Sequence, residues 1–405
     1  MKMIFIKKTN ILQLLLCTLV LSSCSQKNRN GVLSDGQFPK DTLPHMEPPS
    51  HKLPKLSAQY INTKKNAIEH FYNKNWPNNS MNGSFLVAKN GQIIFEKYEG
   101  MANFRDERPI TATTPLHLAS VTKVLTAAAV LKLIDEKKIG LDQKVNTILP
   151  NFPFPLVTVK MLLNHRSGMR NYAYFTDKKD GVWDRHDILT NKDIVNLMAT
   201  KEIGLESRTD TRFAYCNTNY AVLALIIEKA TGLSYKKAME RMIFKPLGMN
   251  HTFVFDYEKD KDSIVPSYKG NKVEIGKDYL DKIYGDKNIY STPRDLLKFD
   301  LARNSPKFLS PKLLKLVYTP FSQERKGERN YGLGIRMINW ETGQNFYFHN
   351  GWWHGNTSSY ITLTKEHVTI IALSNKYTTK TYQVKKIAPM FGDYPFKLGK
   401  EEREE

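Results

Sequence analysis

The chain has 405 residues, 41% hydrophobic and 11% aromatic, with 60 Lys plus Arg against 40 Asp plus Glu. That much apolar material supports one large core or two coupled ones, and it excludes a disordered chain. Three cysteines exclude a disulfide-framework mini-protein, and the one long apolar run, 11–21, is half the length of a membrane-spanning helix.

The N-terminus carries Lys2, Lys7 and Lys8, then the apolar run, then small residues, which is the pattern of a secretory signal. Its end, Leu21-Ser22-Ser23-Cys24, resembles the lipobox of bacterial lipoproteins. That resemblance implies a signal peptide over 1–23 and a lipid on Cys24. The mature protein is then exported and lipid-anchored to a bacterial membrane, periplasmic or at the cell surface, without a spanning helix. Removing the three signal lysines from the 60 basic residues leaves 57 against 40 acidic ones, about +17. The basic residues are scattered singly or as Lys-Lys pairs with no Arg-rich stripe, so a solvated basic surface near anionic envelope polymers or lipid headgroups is expected, and no nucleic acid. With Cys17 removed and Cys24 acylated, Cys216 stands alone and no intrachain disulfide forms.

Residues 24–57 are polar and proline-rich (Pro39, Pro44, Pro48, Pro49, Pro54) and read as a flexible tether. A folded domain over 58–395 and a charged tail over 396–405 follow. The domain opens with a helix over 61–74, then strands 84–88 and 92–96 around Asn90-Gly91, a hairpin signal. The pattern Val121, Val124, Leu125, Ala128, Leu131, Ile134 has a 3.6-residue period and predicts one long helix over 116–137. Residues 219–230 are apolar all round, a buried helix stopped by Gly232. Strand-like runs return at 334–340, 346–349, 359–363 and 368–373, with a closing helix at 379–390. Strands at both ends and helices between them predict one sheet built from the two termini with a helical insertion.

There is no Gly-x-Ser-x-Gly, no His-Glu-x-x-His and no His-x-His-x-Asp. Residues 270–277 fail as a phosphate loop in spacing, and His349 with His354 lacks a third metal ligand nearby, so neither metal nor cofactor is expected. Ser-x-x-Lys occurs at Ser120-Lys123 and at Ser234-Lys237. Ser234 follows Thr231-Gly232-Leu233 and reads as a helix cap. Ser120 opens the periodic helix, and Lys123 three residues on shares its face. A serine hydroxyl attacks only when a base takes its proton, and a lysine does so only where burial and the positive end of a helix favour its neutral form.

Ser120-x-x-Lys123, Tyr215-Cys216-Asn217 and His349-Asn350-Gly351 together resemble the three motifs of the serine β-lactamase and penicillin-binding family, in its class C-like branch. Leu162-Leu163-Asn164-His165-Arg166-Ser167-Gly168, Tyr290-Ser291-Thr292 and Tyr331-Gly332-Leu333-Gly334 agree, and the match runs from about Ser84 to Asn375. The resemblance implies an α/β (α+β) fold, β-lactamase/transpeptidase-like: an antiparallel sheet flanked by helices, plus an all-helical subdomain, with Ser120 in the cleft. It implies Ser120 as nucleophile, Lys123 as its proton partner, and Tyr215 as general base and acid, a phenol needing nearby cations to carry charge. Asn217, His349 and Gly351 would bind substrate, and the backbone N–H groups of Ser120 and Trp352 would form an oxyanion hole. His165 would fix a loop, and Asn288, where the family often has glycine, would reshape the cleft rim.

The expected activity is acyl transfer to water at the cell envelope. Its substrate is a small molecule or peptide, D-Ala-terminated and peptidoglycan-derived, an ester, or a β-lactam. A largely neutral His349 predicts poor β-lactam turnover and an activity rising as pH falls through the imidazole pKa. The rival expectation is a catalytically idle envelope-binding lipoprotein that keeps the cleft for recognition.

Overall fold

The computed structural model describes residues 43–396 apart from 51, 178, 180, 323 and 325–327. The signal segment, Cys24 and the first part of the tether lie outside the described residues.

Helix α1 (Ala58–Asn75) starts where the Ser57 side chain accepts from the Tyr60 N–H. Strands β1 (Gly83–Lys89) and β2 (Gln92–Glu99) form the expected hairpin. Asn90 and Gly91 both have positive φ, 53° and 74°, the geometry that a two-residue turn between right-twisted strands requires. The long helix expected over 116–137 is shorter. Leu116–His117 is a short strand, β3, and the chain tightens through Ala119–Val121 before helix α2 runs Thr122–Asp135. Ala119 at φ 46° cannot belong to a right-handed helix, and the apolar residues before it are buried by strand pairing instead.

Helix α3 (Asn217–Thr231) is buried on nearly every side and stops at Gly232, φ 69°, whose N–H reaches the Glu228 carbonyl at 2.8 Å. Strand β4 (Ile289–Ser291) pairs antiparallel with β3. Strands β5 (Arg329–Tyr331), β6 (Arg336–Asn339), β7 (Asn345–Trp353), β8 (Asn356–Leu363) and β9 (Val368–Ser374) follow. The closing helix is a run of tight 3₁₀ turns, Thr379–Met390, with Pro389 inside it.

The main sheet has seven strands in the order β5-β6-β7-β8-β9-β1-β2, each pair antiparallel. The two ends of the domain meet where Gly83 pairs with Ser374. Both faces are covered, as strand alternation shows. Leu86, Ala88, Ile371 and Leu373 enter a core shared with α2 and α3. Phe85, Val87, Ile370 and Ala372 enter a second core with α1 and the C-terminal segment. The expected antiparallel sheet flanked by helices, with a helical body on one side, is the observed architecture. No helix among the described residues is long and apolar enough to cross a membrane.

Two boundaries need correction. The tether does not run free to residue 57, because Leu43 packs on the first core, and Met46 is 1% exposed with its N–H on the Met242 carbonyl at 2.8 Å. Its apolar side chains turn that stretch into a strap on the domain. The charged tail does not begin at 396, because Phe396 packs against Phe346 and Trp340 with ring centroids 4.9 and 5.4 Å apart. The acidic residues beyond it lie outside the described residues.

A buried methionine replaced by alanine loses its transfer energy and leaves a cavity. Met46→Ala should therefore lower the urea-unfolding free energy by about 2–5 kcal/mol. A native unfolding midpoint would show that the strap carries no stability.

Candidate active site

The turn before α2 places Ser120. Ala119 sits in the left-handed region, a conformation costing an alanine roughly 1–2 kcal/mol, and Ser120 follows it into the first helical turn. One turn on, the Lys123 side chain is 0% exposed. Its Nζ donates to Ser120 Oγ at 3.0 Å and to the Asp286 carbonyl at 2.8 Å. It also lies over the rings of Tyr215 and Tyr220, 5.2 and 5.7 Å from their centroids. The Ser-x-x-Lys spacing thus yields a direct contact. Ser234 does what its local sequence predicts, capping the helix Tyr235–Met239 by accepting from the Lys237 N–H.

Tyr215 stands just before α3 with two cations near its ring, Lys123 and the guanidinium of Arg336, the latter 4.7 Å from its centroid. Asn217 opens α3, and its Oδ1 is buried without a hydrogen-bond partner among the described residues. Cys216 between them faces inward, and burial pushes its thiol up to about 11, which removes it as a nucleophile at neutral pH. His165 at φ 58° receives the Cys216 N–H and the Asn219 amide on Nδ1, at 3.2 and 3.0 Å. Its ring packs 4.5 Å from that of Tyr215. It fixes the loop, as expected.

The third side of the cleft is β7. Strand β6 pairs with it only as far as Arg336 opposite Phe348, so residues 349–353 have no β6 partner. Gly351 is obligatory here. A Cβ on it would stand 2.8 Å from the Ser120 nitrogen, 2.6 Å from the Leu118 oxygen and 2.3 Å from Ser358 Oγ. Without one, the strand backbone lies against the Ser120 N–H, and the neighbouring Trp352 is 62% exposed. A cavity of about 640 Å³ is lined by Ser120, Tyr215, Asn217, Arg336, Gly351 and Trp352 among others. Trp353, by contrast, packs inward and donates its indole N–H to Asp281 at 2.8 Å.

His349 is not part of that lining. It is 0% exposed, its Nδ1 donates to the Asn350 carbonyl at 2.8 Å, and its Nε2 lies 3.2 Å from the Tyr331 hydroxyl. Burial, with the Arg336 and Lys123 charges, holds it well below the ordinary imidazole pKa. It is neutral throughout the neutral range, so the expected pH-dependent substrate contact is withdrawn. Arg329, Arg336 and Lys385 do line the cavity, and of these Arg336 lies over the Tyr215 ring; in the sequence it is one residue of a strand-like run and belongs to no motif. No carboxylate among the described residues lies within ion-pair distance of it. Its one signal is position, two residues after Tyr331-Gly332-Leu333-Gly334 on a sheet edge. Asn288 also departs from expectation, being buried rather than at the rim. Among the described residues no three His, Cys, Asp or Glu side chains could hold a metal, and His354 bonds Asp281 at 2.9 Å, apart from His349.

Comparison with known proteins agrees with this geometry. The family model described as Beta-lactamase matches residues 79–388. Penicillin-binding protein 4* of Bacillus subtilis (strain 168) is 30% identical over 319 residues, covering 75% of this chain and 70% of that protein. The teichoic acid D-alanine hydrolase of Staphylococcus aureus is 29% identical over 321 residues, 72% of this chain and 76% of that one. Among solved structures, a penicillin binding protein from Bacillus halodurans superposes with TM-score 0.69 at 22% identity, over 80% of this chain and 98% of that chain. FmtA from Staphylococcus aureus gives 0.67 at 23% identity, over 85% and 92%.

Adding the missing Cβ tests the close approach of strand and serine. Gly351→Ala should slow acylation by about a hundredfold or more while the protein stays folded; a near-native rate would show that the approach is not needed.

Acid stability tests the burial of the imidazoles. Burial pushes His117 down to about 3 and His165 and His349 well below the usual value. These groups are neutral in the folded state and titrate near pH 6.5 when unfolded, so the unfolded chain binds more protons in acid. They cost nothing above about pH 7, and stability should fall as pH drops below about 6.5, with net proton uptake on unfolding at pH 5. A melting temperature flat from pH 7 to 5 would contradict it.

Proposed function

The chain belongs to the β-lactamase family of serine hydrolases, and from that premise we propose that it hydrolyses D-alanyl esters or amides of the cell envelope through an acyl-enzyme on Ser120. The observation that carries this reading is the buried Lys123 Nζ, 3.0 Å from the Oγ of Ser120, which lines the same cavity as Arg336.

Ser120 Oγ attacks the acyl carbonyl as its proton passes to Tyr215 acting as the phenolate, while Lys123 keeps its proton and donates to Ser120 Oγ. The carbonyl oxygen becomes an oxyanion held by the backbone N–H groups of Ser120 and Trp352. Tyr215 returns a proton to the leaving alcohol or amine as the ester or amide bond breaks. Water then attacks the acyl-serine, giving its proton to Tyr215, which passes it to Ser120 Oγ as the acyl–oxygen bond breaks and the acid leaves. Lys123 and Arg336 lie near the Tyr215 ring, where their charges stabilise its phenolate before it accepts each proton and after it gives one up. Asn217, which lines the cavity, hydrogen-bonds the substrate amide through its carboxamide. Arg336 takes the anionic group of the substrate, the role that the motif assigns to His349. Because a guanidinium is always charged, a neutral imidazole at 349 no longer predicts poor β-lactam turnover.

The names of the relatives favour a D-alanyl acyl group: penicillin-binding protein, teichoic acid D-alanine hydrolase, and a structurally similar D-stereospecific amidohydrolase from Streptomyces. A lipid on Cys24 would place the domain at an exported membrane face, with the basic surface near anionic polymers. An idle recognition cleft is disfavoured, because burying an ammonium against a hydroxyl costs several kcal/mol and serves binding in no evident way.

Paired substrates test the site. Arg336→Ala should raise KM about ten- to a hundredfold for a D-alanyl ester bearing a free carboxylate and leave its neutral methyl ester nearly unaffected. Ser120→Ala should abolish turnover of both. Equal damage to both substrates by Arg336→Ala would make the arginine structural rather than substrate-binding.

A further inference from the structure

We infer that Asn288 is a positioning residue for the nucleophile: through His117 it fixes the peptide plane from which the Ser120 N–H is directed. The inference rests on Ser120 being the nucleophile.

The chain of hydrogen bonds has one possible polarity. Asn288 Nδ2 donates to the carbonyls of Asp281 and Ile283, both at 2.7 Å, which uses both its protons. Its Oδ1 must therefore accept, and it lies 2.9 Å from His117 Nε2. His117 Nδ1 in turn accepts the Ala119 N–H at 3.0 Å. The imidazole is thus a neutral relay with its proton on Nε2, in keeping with a pKa pushed down to about 3 by burial. The charged or titratable groups facing it are Asp281, His354 and Lys277, and the Tyr290 ring meets it edge-on at 4.9 Å.

The Ala119 N–H shares a peptide plane with the Leu118 carbonyl, and Ser358 Oγ donates to that carbonyl at 2.6 Å. The plane is clamped at both ends. The two rotations of Ala119, its φ of 46° and its ψ, then set where the Ser120 N–H points from that plane. The same network reaches the other proposed oxyanion donor. Asp281 accepts the Trp353 indole N–H at 2.8 Å and lies 2.9 Å from His354 Nε2, and Trp353 adjoins Trp352 on β7. Asn288 therefore ties the Ser120 side of the hole to the Trp352 side.

Backbone conformation alone does not explain the residue. Asn288 sits at φ 73°, where glycine is most at ease. A glycine would adopt that φ without strain and make none of these three bonds. This is what makes the position testable without disturbing the chain path. Asn288→Gly should lower kcat about tenfold on an activated ester, with KM little changed, in a protein that stays folded with a lowered melting temperature, since two carbonyls and one imidazole N–H lose buried partners. Asn288→Asp keeps an acceptor for His117 but aims its second oxygen at two carbonyls, so it is tolerated only when protonated. Burial raises that carboxyl's pKa into the measurable range, and the ratio of variant to native kcat should fall as pH rises from 5 to 8.

Native kcat in Asn288→Gly, or a ratio for Asn288→Asp that does not change with pH, would overturn the inference. Loss of turnover in Ser120→Ala, measured beside them, keeps the two questions apart. If Ser120→Ala stays active the nucleophile is wrong; if it is dead while Asn288→Gly is native, only the positioning role fails.

Discussion

An ammonium held out of water governs this molecule. Lys123 is wholly enclosed, and an unpaired charge there would cost several kcal/mol. Its partners are therefore structural requirements: Ser120 Oγ on its own helix, the Asp286 carbonyl from a distant segment, and the faces of Tyr215 and Tyr220. Bringing residues 285–288 under α2 demands a close crossing. A Cβ on Gly285, at φ 92°, would lie 2.4 Å from the Tyr220 oxygen, and its carbonyl takes the Thr126 hydroxyl at 2.7 Å. Asp286 itself is held by Tyr172, whose hydroxyl donates to its carboxylate at 2.7 Å, and by the buried Lys287, 3.6 Å away. Satisfying one charge thus draws α2, α3 and the 281–288 segment into one polar unit beneath Ser120.

The sheet supplies the second constraint. Strand β7 approaches the serine because residue 351 has no side chain, and its residues 349–353 run on beyond β6, which ends opposite Phe348. A cleft arises where a well-packed three-layer domain runs out of strand. Two cations, Lys123 and Arg336, lie within 5.2 and 4.7 Å of the Tyr215 ring centroid. A substrate bearing a carbonyl and a nearby anion meets an environment already arranged for the charge that its reaction develops.

Much of this is legible in the amino-acid sequence alone. The Ser120–Lys123 contact follows from a helical spacing of three, and the Asn90-Gly91 hairpin and the Gly232 stop follow from local backbone preference. What is not legible depends on contacts between distant residues. His349 occupies the motif position expected to meet substrate, yet strand direction and packing bury it against Tyr331. Arg336 reaches the cavity from a neighbouring strand that spacing does not connect to the motif. The long helix is expected to start too early because its first apolar residues are buried by a strand instead, and no propensity rule anticipates an alanine at positive φ. The prolines around Met46 hide the strap, because they report chain stiffness and say nothing about what two or three apolar side chains find to cover. Asn288 reads as a departure from a glycine pattern at a rim, and its φ shows why glycine is common there and what asparagine adds.

Covalent trapping of Ser120 tests the central claim most directly. The intact protein is incubated with a fluorophosphonate or a slowly released acyl ester, digested, and its modified peptide identified by mass spectrometry. A single adduct on Ser120, absent from Lys123→Met or formed there far more slowly, is the predicted result. An adduct on Ser234 or Cys216, or unchanged labelling of Ser120 in Lys123→Met, would contradict it.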